Sequence, residues 1–390
     1  MKQTHRGMIT LLKSALTGQP ETLPEDIHLD EAAVKLCREH HMAPLIYDGA
    51  RVCGISPKEP AMQELFKTYC AAAMVCDRQQ KALAAVVEAF RRENIDYMLL
   101  KGSRIRGLYP RPELRYMGDA DILIRPEQYE KIDLILKELG FSFDHETDHE
   151  LVWRSRGLYL ELHKHLIPSY NKDFYSYYGD GWQLAVKGED SEYTMKPEDE
   201  WIYLFTHFAK HYRDGGAGCR YVVDLWLWRK NYPEMDEAYI RDVLKKMHLE
   251  EFHGHIMELL EYWFGQGAGS DILDILTEFT LSSGSWGQHE AKVLSAAIRD
   301  AKHASSGLVN RLVFLRNHAF PDVRTLRDKY KILYKAPWML PAVWLVRPFY
   351  KVIFERESVS KKLEDVQLLS EENLELRQQM LDLVGLDYNF

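Results

Sequence analysis

Asp119 and Asp121 stand two apart in Met117-Gly118-Asp119-Ala120-Asp121-Ile122-Leu123-Ile124, whose apolar tail reads as a strand. Residues i and i+2 of a strand share a face. The spacing therefore sets two carboxylates side by side while Ala120 and Ile122 turn to the core. Adjacent like charges repel unless a cation neutralises them. Magnesium suits such a pair, because it takes oxygen ligands and is commonly held by one or two carboxylates plus substrate phosphates. Two such ions, about 3.5–4 Å apart, can activate an attacking oxygen and stabilise a leaving pyrophosphate. Asp119 and Asp121 are the first candidates for metal ligands and catalytic residues.

Upstream, the apolar run at 95–100 ends in Lys101-Gly102-Ser103. A glycine turn that closes a strand and opens a helix offers bare N–H groups to an anion. Ser103 adds a hydroxyl for a phosphate oxygen, and Lys101 adds charge if it points into the cleft. Downstream, Glu161 sits between two leucines in Tyr159-Leu160-Glu161-Leu162-His163-Lys164-His165, an odd place for a lone charge on a strand. It is the candidate third carboxylate, ligating a catalytic ion and helping to deprotonate an acceptor. By the period-two rule it shares a face with His163 and His165. Arg104, Arg106, Arg111 and Arg115 cluster between the two halves of the motif, and Arg115 leads them as a clamp for phosphate, whose oxygens match the guanidinium fork. His207 and His211 stand four apart in a helical stretch, a spacing that can hold a metal, although no glutamate follows the first histidine.

Three regions must position these groups. Residues 1–92 read as helical, with apolar positions at helical spacing from Leu65 to Phe90. Residues 93–170 alternate strand, helix and strands. Pro126 opens a helix, Gly140 closes it, and Arg156-Gly157 forms a hairpin turn. From 171 to 390 the helical period returns. The reading is an α+β chain: a small mixed sheet with flanking helices, inserted between two helical regions.

Together these features resemble the DNA polymerase beta-like nucleotidyltransferase superfamily, whose pattern is a GS turn, Asp-x-Asp and a third acidic residue. The fuller text, "LLKG", "LYP", "LR" and "MGDADILI" before a Pro-started helix, is similar to a group of bacterial uncharacterised nucleotidyltransferases, as are "LELHKHL" and "THFAKH…YVVDLW". The likeness runs from about residue 95 to 227. It implies a metal–nucleotide site built from Gly102, Ser103, Asp119, Asp121 and Glu161, and suggests that His207 and His211, with Asp224, face the cleft from the helical side. One departure is a longer gap before Asp119, with Pro110-Arg111-Pro112 inserted.

The expected reaction moves a nucleoside monophosphate from an NTP to an acceptor hydroxyl or phosphate, with two magnesium ions. The alternative is a catalytically degenerate nucleotide-binding or partner protein of the same fold. A net charge of −9 argues against DNA and favours a small molecule or protein over RNA as acceptor. Five cysteines without zinc spacing point to a reducing cytoplasm and to buried or half-buried thiols. The most apolar late stretch, 336–354, is broken by Pro337, Pro341, Arg347-Pro348 and Lys351 and falls short of a membrane span. No stable insertion is expected; docking of residues 338–354 on a membrane is a separate, minor alternative.

Overall fold

The computed structural model describes residues 2–23, 29–168, 172–301, 307–323, 326, 330–354 and 364–386. The expected region boundary at 170 lies outside them. Two compact units emerge, one of residues 1–209 and 217–286 (with 390), the other of 210–216 and 287–389.

The first unit begins with helices α1 (Gln3–Thr17), α2 (Glu31–Glu39) and α3 (Ala43–Val52). A Cβ on Gly49 would lie 1.9 Å from the Leu11 carbonyl oxygen, so α1 and α3 meet at a distance that only glycine permits. The run without Gly or Pro after its start becomes one helix, α4 (Pro60–Arg92), 33 residues long. At 1.5 Å per residue it spans about 50 Å.

The sheet follows, formed by β1 (Tyr97–Leu100), β2 (Ala120–Ile124), β3 (Ser142–Glu146), β4 (Glu150–Arg154), β5 (Tyr159–His163), β6 (Ala185–Lys187) and β7 (Glu192–Met195) in the order β3-β4-β5-β2-β1-β7-β6. β2 runs antiparallel to β1 and parallel to β5. A five-residue helix, α5 (Lys101–Ile105), leaves β1, and α6 (Tyr129–Glu138) lies between β2 and β3. Strands β6 and β7, beyond residue 170, were not expected: at three and four residues they fall at or below the short end of the roughly four to eight residues over which alternation marks a strand. After the expected strand end at His163 the chain bends, so His165 is not on the strand, contrary to the period-two reading. Its ring instead lies 5.8 Å from that of Tyr175.

Register separates the two faces. Ala120, Ile122 and Ile124 of β2, Leu160 and Leu162 of β5, and Leu151 and Trp153 of β4 join Val86 and Phe90 of α4 and Ile132 and Leu136 of α6 in one core. Asp121 pairs in register with Leu100 and with Glu161, and His163 with Glu150, so the polar groups share the opposite face. Helices α7 (Lys172–Tyr178), α8 (Pro197–Asp214), α9 (Cys219–Asn231), α10 (Glu237–Lys246), α11 (Glu250–Phe264) and α12 (Asp271–Ser282) follow. The aromatic side chains of α9 pack: Trp226 lies 5.1 Å from Phe264, and Trp228 lies 4.5 Å from Tyr232.

The long loop between α5 and β2 is held at both ends. From α4, Gln79 donates to the Met117 carbonyl (2.8 Å) and accepts from Arg106 (2.8 Å). From α9, Asp224 accepts two bonds from Arg115, Nε at 2.9 Å and Nη2 at 2.7 Å, and a third from the Tyr109 hydroxyl at 2.8 Å. The inserted segment leads into a 3₁₀ turn, Pro112–Leu114, and its Arg111 pairs with Asp48 at 2.6 Å.

In the second unit, α13 (His289–Ala301) and α14 (Gly307–Ala319) precede Ile332–Lys335, Leu340–Phe354 and Glu371–Leu383. Buried Arg377 donates to the carbonyls of Tyr212 (3.2 Å) and Arg213 (2.9 Å) and to Ser295 Oγ (3.1 Å). A small core of Leu326, Leu333 and Val343 packs against Met339, Leu340 and Trp344. No helix among the described residues is long and apolar enough to cross a membrane. The described cysteines are free thiols; Cys37, Cys76 and Cys219 are buried and Cys53 is half-buried, but Cys70, on the outer side of α4, is exposed.

Two substitutions test these supports. Leu160→Ala, in a fully buried position, should cost about 2–5 kcal/mol in urea denaturation. Arg115→Met leaves the Asp224 carboxylate buried without its cation and should cost about 3–5 kcal/mol, much of which Arg115→Met with Asp224→Leu restores.

Candidate active site

The end of β1 and the start of α5 set one wall. Lys101 takes a left-handed backbone (φ 43°), rare for a side chain with a Cβ, which turns the chain sharply out of the strand. The turn directs Lys101 Nζ to Asp121 Oδ1 at 2.8 Å, across the β1–β2 ladder. Gly102 follows under a tight constraint. A Cβ there would lie 2.7 Å from Arg115 Nη1 and 3.2 Å from Met117 Cγ, so the turn can settle on the loop only with glycine. Ser103 Oγ is buried and makes no hydrogen bond with any described residue.

β2 and β5 supply the acids. Asp121 is buried in the strand, and Asp119 stands half-buried just before it. Parallel pairing sets Glu161 directly beside Asp121. His163, two residues on and 1% exposed, bonds through Nε2 to Asp121 Oδ1 at 2.8 Å and lies 3.8 Å from Glu161 Oε2. Asp121, Glu161 and His163 thus bring three potential ligand atoms within 4.8 Å of one another, as do His149, Glu150 and His163. Both donors to Asp121 reach Oδ1; Oδ2 has no hydrogen-bond partner among the described residues.

Electrostatics divide the acids. Burial alone would raise the Asp121 carboxyl, but Lys101 and His163 outweigh it and hold Asp121 far below the usual carboxylate range. For Glu161, burial and the charges of Asp121, Asp119 and Glu150 act together, and the carboxyl is pushed up to about 8. Burial and Asp121 also raise Asp119, with Lys101 and Arg220 opposing. Burial disfavours the Lys101 ammonium, yet Asp121 more than compensates and keeps it charged. Burial, then Lys101, lowers His163. A neutral imidazole beside an ionised Asp121 donates from Nε2, because a carboxylate can only accept. That leaves His163 Nδ1 as a buried acceptor without a partner among the described residues.

Lys101, Asp119, Asp121 and Glu161 thus lie together, and Gly102 and Ser103 follow Lys101 in the turn. Arg115 lies beneath them, 5% exposed, with its guanidinium engaged by Asp224. Arg106 is likewise buried on Gln79, and Arg111 is turned to Asp48. Asp224 belongs to this brace, and the His207 ring lies tilted at 5.8 Å from that of Tyr221 and 6.4 Å from that of Tyr203. His211 falls in the second unit.

Sequence reasoning missed four contributors. Tyr203 of α8 faces Lys101. Arg220 of α9 donates to the Tyr116 carbonyl (3.4 Å) and its charge reaches Asp119. His149 pairs with Glu150 at 3.1 Å, and Glu150 lies across from His163 in the ladder. Only the last had a readable signal, a charged residue opening a strand opposite "LELH".

Comparison with curated proteins and with solved structures finds no match. A family described as uncharacterised nucleotidyltransferase matches residues 29–265, more than half of the chain and all of the residues just described. With the acids, the GS turn and the mixed sheet inside that span, the chain belongs to this nucleotidyltransferase family.

Proposed function

We propose that the protein transfers a nucleoside monophosphate from an NTP to an acceptor hydroxyl or phosphate in a magnesium-dependent reaction. The acceptor oxygen attacks the α-phosphorus. The bond from that phosphorus to the oxygen bridging to the β-phosphate breaks, and pyrophosphate leaves. For a hydroxyl acceptor the proton passes to a carboxylate, for which Glu161 is our assignment, its own proton having been displaced where a bound cation neutralises the acids. The observation that carries this reading is the cross-strand pair Asp121–Glu161, with Asp119 two residues upstream, pressed together on a buried sheet face.

The donor set fits the cations the reading needs. A glutamate whose proton is held to about 8 by burial and neighbouring acids is a site short of positive charge. Asp119, Asp121 and Glu161 would hold two magnesium ions, with Asp121 Oδ2 open to one of them. Magnesium, when bound, neutralises the acids and the triphosphate and supplies electrostatic stabilisation for in-line displacement. Ser103 Oγ, buried without a partner, would donate to a phosphate oxygen with Gly102 at the turn. Lys101 would exchange Asp121 for phosphate. Arg115 would act as a positioning residue that fixes the turn rather than as a direct clamp, since its fork is taken by Asp224. A net charge of −9 supports a small molecule or protein as acceptor, not RNA or DNA. Free thiols fit a cytoplasmic setting.

Two measurements test the reading. With Mg²⁺, an NTP and a broad acceptor panel, pyrophosphate release should fall by roughly a hundredfold or more in Asp119→Asn, Asp121→Asn and Glu161→Gln. Unchanged release in these variants would sink it. NTP binding in the wild type without release on any acceptor would favour the degenerate, binding-only protein.

The second concerns protons. Folded Glu161 holds its proton to about pH 8, whereas the unfolded chain releases it in the ordinary glutamate range. The folded state binds more protons between those limits, so Glu161 makes the metal-free protein less stable as pH rises from about 4.5 to 8. Glu161→Gln should therefore raise Tm more at pH 8 than at pH 5. Mn²⁺ titration at pH 7, followed by calorimetry in buffers of different ionisation enthalpy, should show proton release that Glu161→Gln removes.

A further inference from the structure

Residues 331–354 contain Lys331, Lys335, Arg347 and Lys351 and no Asp or Glu, in a chain whose net charge is −9. The same stretch is dense in Trp, Tyr, Phe, Leu, Ile and Val. In the second unit it folds as two helical pieces, Ile332–Lys335 and, after a 3₁₀ turn, Leu340–Phe354.

The fold sorts this segment's side chains. Leu333 and Val343 are buried with Leu326, and Met339, Leu340 and Trp344 pack on them. Trp344 is fixed from the other side, its Nε1 donating to the Pro321 carbonyl at 2.8 Å. The outward positions are 338, 341, 342, 345 and 346, spaced i, i+3, i+4, i+7 and i+8, which is one stripe of a helix. All five are apolar and exposed: Trp338 is 78% exposed, Leu345 73% and Val346 61%, with Pro341 and Ala342 between them. Just before the stripe, Lys331 and Lys335 are exposed, as is Ile332 at 50%.

The helix is thus apolar on both sides, with one side covered by its own unit and the other bare. Water is a poor neighbour for so large a contiguous apolar face. The described part of the helix, 15 residues, is shorter than the roughly 20 apolar residues that span a bilayer. An apolar stripe with Trp at one end, flanked by lysines and free of acids, matches a helix lying in the plane of a membrane surface. Trp favours the headgroup level. The lysines are drawn to anionic headgroups within a Debye length, while the acidic remainder of the chain is repelled.

We propose that residues 331–346 form a peripheral docking surface for an anionic lipid bilayer. Trp338, Leu345 and Val346 enter the headgroup–acyl boundary, and Lys331 and Lys335 meet the lipid phosphates. This rests on the second unit alone and is independent of the nucleotidyl-transfer reading.

The test is flotation of the full-length protein with vesicles of phosphatidylglycerol and phosphatidylcholine, and with phosphatidylcholine alone. Binding is expected to the anionic vesicles, weakening as salt rises, and little to the neutral ones. Trp338→Ser and Leu345→Ser should each weaken it by about tenfold. Lys331→Glu with Lys335→Glu should weaken it by at least about twentyfold. All four side chains are exposed, so Tm should stay at the wild-type value and a loss of binding cannot be put down to unfolding. No flotation with anionic vesicles overturns the proposal, as does flotation that none of the variants changes. A dimer in sedimentation equilibrium that Leu345→Ser abolishes also overturns it, because a second copy would then cover the stripe.

Discussion

Three carboxylates crowded on one buried sheet face set the terms for everything around them. Asp121 and Glu161 are register neighbours, Asp119 is two residues away, and Glu150 is close enough to act on Glu161. Such crowding is tolerable only with compensating positive charge or retained protons. The protein uses both. Lys101 and His163 converge on one oxygen of Asp121 and keep that group ionised, while Glu161 keeps its proton into neutral pH. The site is therefore held in a defined geometry by its own side chains, and the same crowding makes it receptive to further cations.

Around that centre, much of the structure serves to fix one turn. Lys101 must bend out of β1, Gly102 must pass over Arg115, and Arg115 must not move. Asp224 grips Arg115 in two places and takes Tyr109 as well, while Gln79 secures the far end of the loop from α4. Helices before and after the sheet in sequence thus bear on the same loop. Buried ion pairs add little net stability, because desolvation offsets their attraction. Their value here is geometric: a fork of two hydrogen bonds leaves Arg115 one orientation.

The residues of the candidate site were legible because each lies in a short local pattern. A strand ending in Lys-Gly-Ser, an Asp-x-Asp before an apolar run and a glutamate between leucines can all be seen within a few positions. The Arg115 brace could not be seen this way. Its partner is 109 residues away, and an arginine near a phosphate motif reads equally well as a clamp. His163 was noticed as sharing a face with Glu161, yet its bond to Asp121 depends on which strands pair, and local pattern does not specify pairing. β6 and β7 escaped notice because short, partly exposed strands show no clear alternation. His165 was misplaced by extending a period-two count past the end of a strand.

The long reach of the Asp224 brace bears on how the molecule comes into being. The turn at Gly102 and the acid pair are brought together by strands from different parts of the chain, and they are clamped by a helix that follows all of those strands. Closing so large a loop costs entropy before any contact repays it, and contacts distant in sequence form slowly. During synthesis the sheet can assemble while α9 is still missing, but its acid-lined turn then lacks the grip on Arg115. The geometry of the candidate site is thus completed only when the chain has been made well past the Asp-x-Asp motif.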